Sequence, residues 1–384
     1  MAPLLLATPS GLTRAPRHAI VAGLSAALRR GARGGRVTGE RRRLILEVVG
    51  FALVVALVTT YAVRRDAGAI GEPVRLDEQR LLLGTVVSIT VFTHDEERGR
   101  EALEAAFAEM ARVEALTSRH AGAGEVSRIN APSRHADRIT VDRELATVLE
   151  RSLHFGRLSG GAFDVTIAPV VSLWLGPEGV RVPSRAAVRA ALPKVDYTRL
   201  SVNTRTGVLS IPEGMSVDLD GIAKGHAVDR AVRALRLRGV DAAMVDAGGN
   251  VGFLGEPPRG GMWKVGIKHP RRDGILGTLL VERGSVATSG DYQHFAIVDG
   301  VRYHHILDPE TGTPTSGVAS VTIVTARAID ADALSTAVFV LGAEKGMALV
   351  EAMDGVEAVI ATGADSVRQV LVSSGLTERF VEGE

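Results

Sequence analysis

Asp332 and Thr336 stand four residues apart in the stretch Ile329-Asp330-Ala331-Asp332-Ala333-Leu334-Ser335-Thr336. On a helix that spacing brings both side chains to one face. A carboxylate and a hydroxyl then lie side by side, and both are oxygen donors of the kind Mg²⁺ accepts. The same residues also suit an ordinary helix start, with Asp330 or Asp332 as N-cap. A second stretch, Val217-Asp218-Leu219-Asp220-Gly221-Ile222-Ala223-Lys224-Gly225-His226, carries two glycines that let the backbone approach a ligand closely. Its Lys224 offers a point charge for phosphate near a helix start. Taken alone, the stretch is equally a tight connection with a surface lysine.

A third group is formed by Ala287-Thr288-Ser289-Gly290-Asp291-Tyr292 and the later run Tyr303-His304-His305-Ile306-Leu307-Asp308-Pro309-Glu310-Thr311-Gly312. Adjacent residues on a strand point to opposite faces, so His304 and His305 are poorly placed to share one metal. One of them can serve as a general base near neutral pH, the other as a hydrogen-bonded loop residue. The fourth group, Ser159-Gly160-Gly161-Ala162-Phe163-Asp164, sets an aromatic beside small residues. That combination makes one wall of a slot for a flat ring, or plain packing.

The elements that must position these groups are readable from periodicity. Gly84–Phe92 is dense in β-branched residues and predicts a strand. Leu103, Phe107, Met110, Val113 and Leu116 recur at helical spacing within a helix from Glu96 to Leu116. A second helix is expected over Val141–Ser159, stopped by Gly160-Gly161. Val217–Arg238 reads as a short strand, a glycine turn and a helix from about Ala223. Strands are expected at Ala242–Val245, Trp263–Lys268, Leu279–Glu282, Phe295–Val298 and Ser320–Thr325. A final helix, Ala331–Leu341, precedes a helix–strand–turn–strand tail. Strands and helices are interspersed without the strict alternation of a doubly wound sheet, so the fold class is α+β.

Composition bounds the rest. The chain has 384 residues, no cysteine and a formal net charge of +1. Thiol chemistry, disulfides and Cys-ligated metals are excluded, and the overall charge gives no case for a nucleic-acid partner. Nine arginines crowd the first 43 residues, and the remainder is mildly acidic. Leu44–Val63 is apolar apart from Glu47, long enough to cross a bilayer as a helix. The arginines before it predict a cytoplasmic N-terminus and export of the chain beyond Val63. A cleaved signal peptide is the competing reading, but the apolar run is longer than usual and no clear A-x-A site follows it. The expected organisation is a basic, disordered segment 1–43, a transmembrane anchor 44–63, a polar tether 64–80 and one domain over 81–384.

Together and in order, GTVVSITVF, SGGAFDVTIAPVVSLW, VDLDGIAKGHAVDRA, VDAGGN, ATSGDYQHF, YHHILDPETGTP and DADALSTAVFVLG resemble the ApbE family, the FAD:protein FMN transferases. The likeness runs from about Leu83 to Leu341. It implies an ApbE-like mixed α/β domain, exported or anchored at the bacterial inner membrane, that uses FAD and Mg²⁺. The implied reaction moves FMN from FAD to a threonine of an acceptor protein through a phosphoester, releasing AMP. By resemblance, Asp218, Lys224, Gly161, Ala162 and Phe163 contact FAD and Ile306 packs nearby. Leu83 takes the place of a usual methionine against the flavin, and His120 that of a tyrosine. Asp332 and Thr336, with the Gly221 carbonyl, match the metal site. Asp220 replaces a common glycine, and Asn250 follows Gly-Gly where aspartate is frequent. His305 is the expected base for the attacking hydroxyl, with Asp291 or Asp308 as an orienting or alternative group. Hydrolysis of FAD to FMN and AMP, or FAD holding without transfer, are the rival readings; Asn130 is one residue that could tip transfer toward hydrolysis.

Overall fold

The computed structural model describes residues 72–119, 124–131, 137–176 and 179–383. The basic segment 1–43, the apolar segment 44–63 and His120 lie outside the described residues. Ten strands and five helices matter for the site. The strands are β1 (Val74–Leu82), β2 (Thr85–Thr93), β3 (Ala242–Ala247), β4 (Asn250–Leu254), β5 (Ser285–Gly290), β6 (Phe295–Val298), β7 (Val301–His304), β8 (Val318–Thr325), β9 (Glu357–Thr362) and β10 (Gln369–Val372). The helices are α1 (Glu96–Thr117), α2 (Arg143–Leu158), α3 (Ala223–Leu237), α4 (Ala328–Leu341) and α5 (Ala343–Glu351).

Eight strands form the main sheet in the order β1-β2-β3-β4-β5-β8-β9-β10. Every neighbouring pair in it is antiparallel. Helices pack on one face. On β9, Ala358 and Ile360 join the helix-side core, while the alternate residues Val359 and Ala361 join a cluster with Trp263, Leu279 and Val281. Those three belong to a second, three-stranded sheet of Trp263–Lys268, Ile275–Val281 and Phe380–Glu382. Strand β8 is therefore buried on both faces over Val318–Val324, which explains why only the small Ser320 and Thr322 interrupt its apolar side chains there. Each such side chain contributes about 1.5–3 kcal/mol of burial free energy.

Two expectations are corrected. The segment assigned to a tether up to Arg80 contains β1, an edge strand in full register with β2. Only Leu76 of its nine residues is buried, so its charged side chains read as linker although they decorate and protect a sheet edge. Val217 begins no strand. Its N–H donates to Asn130 Oδ1 at 2.8 Å and its carbonyl accepts from Asn130 Nδ2 at 2.7 Å. One side chain thus replaces a ladder neighbour.

Helices α3 and α4 approach closely because Gly225 has no side chain. A Cβ at Gly225 would lie 2.2 Å from the Ala328 carbonyl oxygen and 2.7 Å from Asp332 Cβ. Helix α4 begins at Ala328, three residues before the expected start, so Asp332 lies inside the helix and N-caps nothing. Capping comes instead from α3. Asp229 accepts from the N–H groups of Ala328 at 2.8 Å and Ile329 at 3.3 Å.

Candidate active site

The turns Leu83-Gly84 and Gly248-Gly249 lie at one end of the main sheet, where β2 begins and β3 ends. The start of α3, the middle of α4 and the C-terminal half of β5 converge on the same end. Register brings this about: Ala287 pairs with Asn250 beside the glycine turn, and the Thr288 N–H donates to the Gly249 carbonyl at 3.1 Å.

Asp332 is 4% exposed. Its Oδ2 accepts from the Gly225 N–H at 2.8 Å, and the nearby Asn250 side chain also favours its charged form. Burial nevertheless pushes its carboxyl up from the usual range, partly offset by the nearby Lys224 ammonium. A carboxylate whose charged form is disfavoured by burial is short of positive charge. Thr336 follows one turn later, half-buried. Ser289 Oγ on β5 sits 2.8 Å from Ser335 Oγ and 3.4 Å from Thr336 Oγ1, which orients the threonine hydroxyl. Gly221 completes the group, since a Cβ there would lie 3.4 Å from Thr336 Oγ1 and 3.1 Å from Phe163 Cε2.

These donors fit a hard cation: one carboxylate, one hydroxyl and a main-chain carbonyl, all oxygen. Among the described residues no group of three or more His, Cys, Asp or Glu could hold a metal. A site with one carboxylate suits Mg²⁺, which keeps several waters and binds with substrate phosphates rather than in an all-protein cage.

Phe163 is buried and stands edge-on to Phe155 at 6.5 Å. The preceding Gly160 and Gly161 both have positive φ, 62° and 93°, and the Phe163 N–H is tied to Ser159 Oγ at 3.0 Å. Ala162 is half-buried at this turn. Asp218 is buried, and burial together with the Asp220 carboxylate pushes its carboxyl up to about 6. Arg119 Nε lies 3.3 Å from Asp218 Oδ2 and 3.7 Å from Asp220 Oδ2. Neither Arg119 Nε nor Asp218 Oδ2 makes a hydrogen bond of good geometry among the described residues; the two groups are held as a close, buried ion pair. Nothing in the sequence marks Arg119, because a lone arginine at a helix end carries no pattern. Lys224 Nζ donates to the Asp220 carbonyl at 3.0 Å.

The two histidines have separated roles. His304 is buried, and its Nδ1 accepts from the Ile306 N–H at 3.3 Å. Its Nε2 therefore carries the proton and donates to the Thr315 carbonyl at 2.9 Å. His305 is half-buried, with Nδ1 3.3 Å from the His294 carbonyl. That contact requires the proton on Nδ1 and leaves the Nε2 lone pair open. Burial, then the neighbouring His294 and Lys224, push the His305 imidazole down to about 3. Ile306, the next residue, is buried.

Asp291 and Asp308 do not orient His305, contrary to expectation. Asp291 is buried in a two-pronged pair with Arg271, both N–O distances 2.6 Å. Asp308 closes its own turn, accepting from the Glu310 N–H at 2.9 Å and Thr311 Oγ1 at 3.1 Å. Both carboxylates are committed to holding loops.

Leu83 occupies the left-handed region at φ 56°, with Gly84 at φ 70°. Its N–H donates to Glu114 Oε1 at 2.8 Å, so α1 fixes the hairpin tip. A bulky residue in this conformation stores strain, a mark of functional positions.

The ApbE family model matches residues 83–360 of the chain. The FAD:protein FMN transferase of Treponema pallidum (strain Nichols) is 36% identical, the match covering 81% of this chain and 91% of that protein. Among solved structures, the ApbE protein of Thermotoga maritima superposes with a TM-score of 0.72 at 33% identity, covering 81% of this chain and 100% of that one. The flavin transferase ApbE of Vibrio cholerae gives 0.70 at 28% identity, covering 80% and 99%.

Proposed function

Since the chain belongs to the ApbE family, we propose that it transfers FMN from FAD to an acceptor protein. The observation that carries this reading is the contact of Gly221 with both Phe163 and Thr336, one helical turn from buried Asp332. A ring-binding wall and an oxygen-donor set thereby share one turn of backbone, as a substrate with a flavin at one end and phosphates at the other requires.

In the finer reading, the nucleophile is a threonine hydroxyl of the acceptor. Its oxygen bonds to the FMN phosphorus, the bond from that phosphorus to the AMP oxygen breaks, and the hydroxyl proton passes to His305 Nε2. A neutral imidazole is needed for that step, and the low proton affinity of His305 supports its being neutral at physiological pH. Asp332, Thr336 and the Gly221 carbonyl would hold Mg²⁺, which when bound offsets the charge of the pyrophosphate and the departing phosphate. Lys224 adds a fixed positive charge near both Asp332 and His305. Asp218, Gly161, Ala162, Phe163 and Ile306 line the FAD end. Chelating divalent cations should stop FMN attachment and added Mg²⁺ should restore it; undiminished transfer in chelator would remove the metal from this reading.

Leu83 is assigned to the flavin on its strained backbone. Leu83→Gly relieves about 1 kcal/mol of that strain while giving up packing against the α1 side of the core. The unfolding free energy should therefore change by less than about 1 kcal/mol, whereas the FAD Kd rises at least about fivefold. Denaturant unfolding and FAD titration read the two effects. A stability loss without an affinity loss would make Leu83 purely structural.

Residues 44–63 are proposed to anchor the chain in the bacterial inner membrane, N-terminus inside and residues 64–384 outside. Support comes from their apolar length and the preceding arginines. Among the described residues no helix is long and apolar enough to cross a membrane. A C-terminal reporter active only in the cytoplasm would refute the orientation.

A further inference from the structure

Strands β6 and β7 form a two-stranded hairpin of their own, closed by Asp299 and Gly300, both at positive φ (52° and 76°). Two consecutive positive φ values match the twist of the flanking strands, so the turn sequence Asp-Gly fixes the register. The root is anchored: Tyr303 stacks on Trp174 at 5.8 Å and His304 is buried. The tip is not. Ile297, Val298 and Val301 are 61%, 40% and 51% exposed.

A surface hairpin normally turns one polar face to water. Here Ile297, paired with Arg302, lies on one face and the pair Val298–Val301 on the other, so exposed apolar side chains stand on both sides of the tip. Exposed apolar side chains gathered at one tip are a feature of interaction sites. Its root also leads into the reaction site. His305 follows β7 directly, and its N–H extends the ladder to the His294 carbonyl at 3.1 Å. Four residues of strand put the tip roughly 13 Å from His305. A protein interface of ordinary size covers about 800 Å² per partner, a patch roughly 16 Å in radius. A folded protein that brings a hydroxyl to His305, with its interface centred there, reaches the tip.

We propose that the β6–β7 hairpin is a docking finger for the acceptor protein, which buries Ile297, Val298 and Val301 against apolar residues flanking its modified hydroxyl. This rests on the transfer reading above. The acceptor is favoured over a lipid surface because the finger's root runs directly into His305, where the acceptor hydroxyl must arrive; the hairpin's own Arg302 makes anionic vesicles the rival that the test includes. On the finger itself, Arg302 stacks over Phe295 at 3.9 Å, and its Nη1 is buried without a hydrogen-bond partner among the described residues. It lines a cleft of about 530 Å³ with Lys268 and Tyr292, which suits a carbonyl or carboxylate of the same partner.

The chain has no cysteine, so Ile297→Cys supplies a single thiol for maleimide labelling in the full-length protein. Leu237→Cys, 73% exposed near the end of α3 and roughly 20 Å along that helix from its start, is the control. The probe is a purified acceptor domain to which the wild-type chain attaches FMN. Saturating acceptor should slow labelling at 297 about tenfold and leave 237 unchanged. The double variant Ile297→Ser/Val301→Ser should raise the acceptor KM about tenfold or more, with FAD affinity within about twofold of wild type. An unchanged KM overturns the proposal, as does a parallel loss of FAD binding. Protection of 297 by phosphatidylglycerol vesicles alone, or by raising the protein's own concentration, also overturns it, in favour of a membrane or a second copy. If wild type attaches FMN to no acceptor, the transfer reading fails and takes this inference with it. If wild type does and the variants match it, only the finger is wrong.

Discussion

Asp332→Asn should reduce FMN transfer by about 10³-fold or more while leaving the fold intact. The asparagine carbonyl can still accept from the Gly225 N–H, the 2.8 Å bond that ties α3 to α4, so only the charge is lost. Asp332→Ala removes the acceptor as well and should cost a further 1–3 kcal/mol or so of stability from the unsatisfied buried N–H. Comparing the two separates charge from structure. Proton linkage supplies a readout independent of turnover. Burial raises the Asp332 carboxyl above its unfolded value, so between those two pH values the folded chain binds more protons than the unfolded one. Stability attributable to this group therefore falls as pH rises through that window, and a cation at the site should restore it. Mg²⁺ should raise the Tm of wild type at neutral pH and leave that of Asp332→Asn unchanged. Equal shifts in both proteins would place the metal elsewhere.

Replacing His305 should have the next largest effect. His305→Gln is expected to lower kcat/KM for transfer by about 10²–10⁴-fold, the usual worth of a positioned general base. FAD affinity should stay within about twofold, since glutamine can still donate to the His294 carbonyl. The pH profile provides the sharper check. The imidazole is pushed down to about 3 in the free protein, so the base form is present throughout the range in which an ordinary histidine titrates. The acid limb of kcat/KM attributable to this residue should then fall well below pH 6.5. A limb at about 6.5 that disappears in His305→Gln would keep the base but contradict its burial. A variant with near-normal transfer would exclude His305 altogether.

The range of each interaction decides whether the sequence discloses it or hides it. Asp332 and Thr336 were legible because their relation is local: four residues on a helix fix a shared face. The start of α3 was legible for the same reason, glycines and a lysine within one turn. Arg119 was not, because its partners Asp218 and Asp220 lie about a hundred residues on and meet it only through the fold. Asp291 looked like chemistry beside a histidine-rich motif until its pairing with Arg271 across a loop became visible. Ser289, which orients Thr336 from β5, had no more signal than any strand serine. Edge strand β1 was hidden by its charge, the feature that protects a sheet edge. Asn130, a candidate for tipping transfer toward hydrolysis, instead holds the backbone of Val217, one residue before Asp218. Its influence on the site is through position.

The α+β class and the order of motifs survived because they depend on patterns repeated along the chain: alternation in β2, helical spacing in α1, glycine stops after α2. Asp291 and Val217 were revised because their partners, Arg271 and Asn130, meet them only through the fold. Leu83 shows the intermediate case. Its apolar type was noted for the flavin, while its left-handed backbone and its tie to Glu114 emerged only from the hairpin geometry.

The central claim is that this end of the sheet moves FMN from FAD onto a protein. Its most direct test is the intact mass of an acceptor domain after incubation with the full-length chain, FAD and Mg²⁺. The expected result is a gain of one FMN on a threonine, with one AMP released for each FMN attached and neither product formed by Asp332→Asn. Free FMN and AMP beside an acceptor of unchanged mass would contradict it and identify the reaction as hydrolysis.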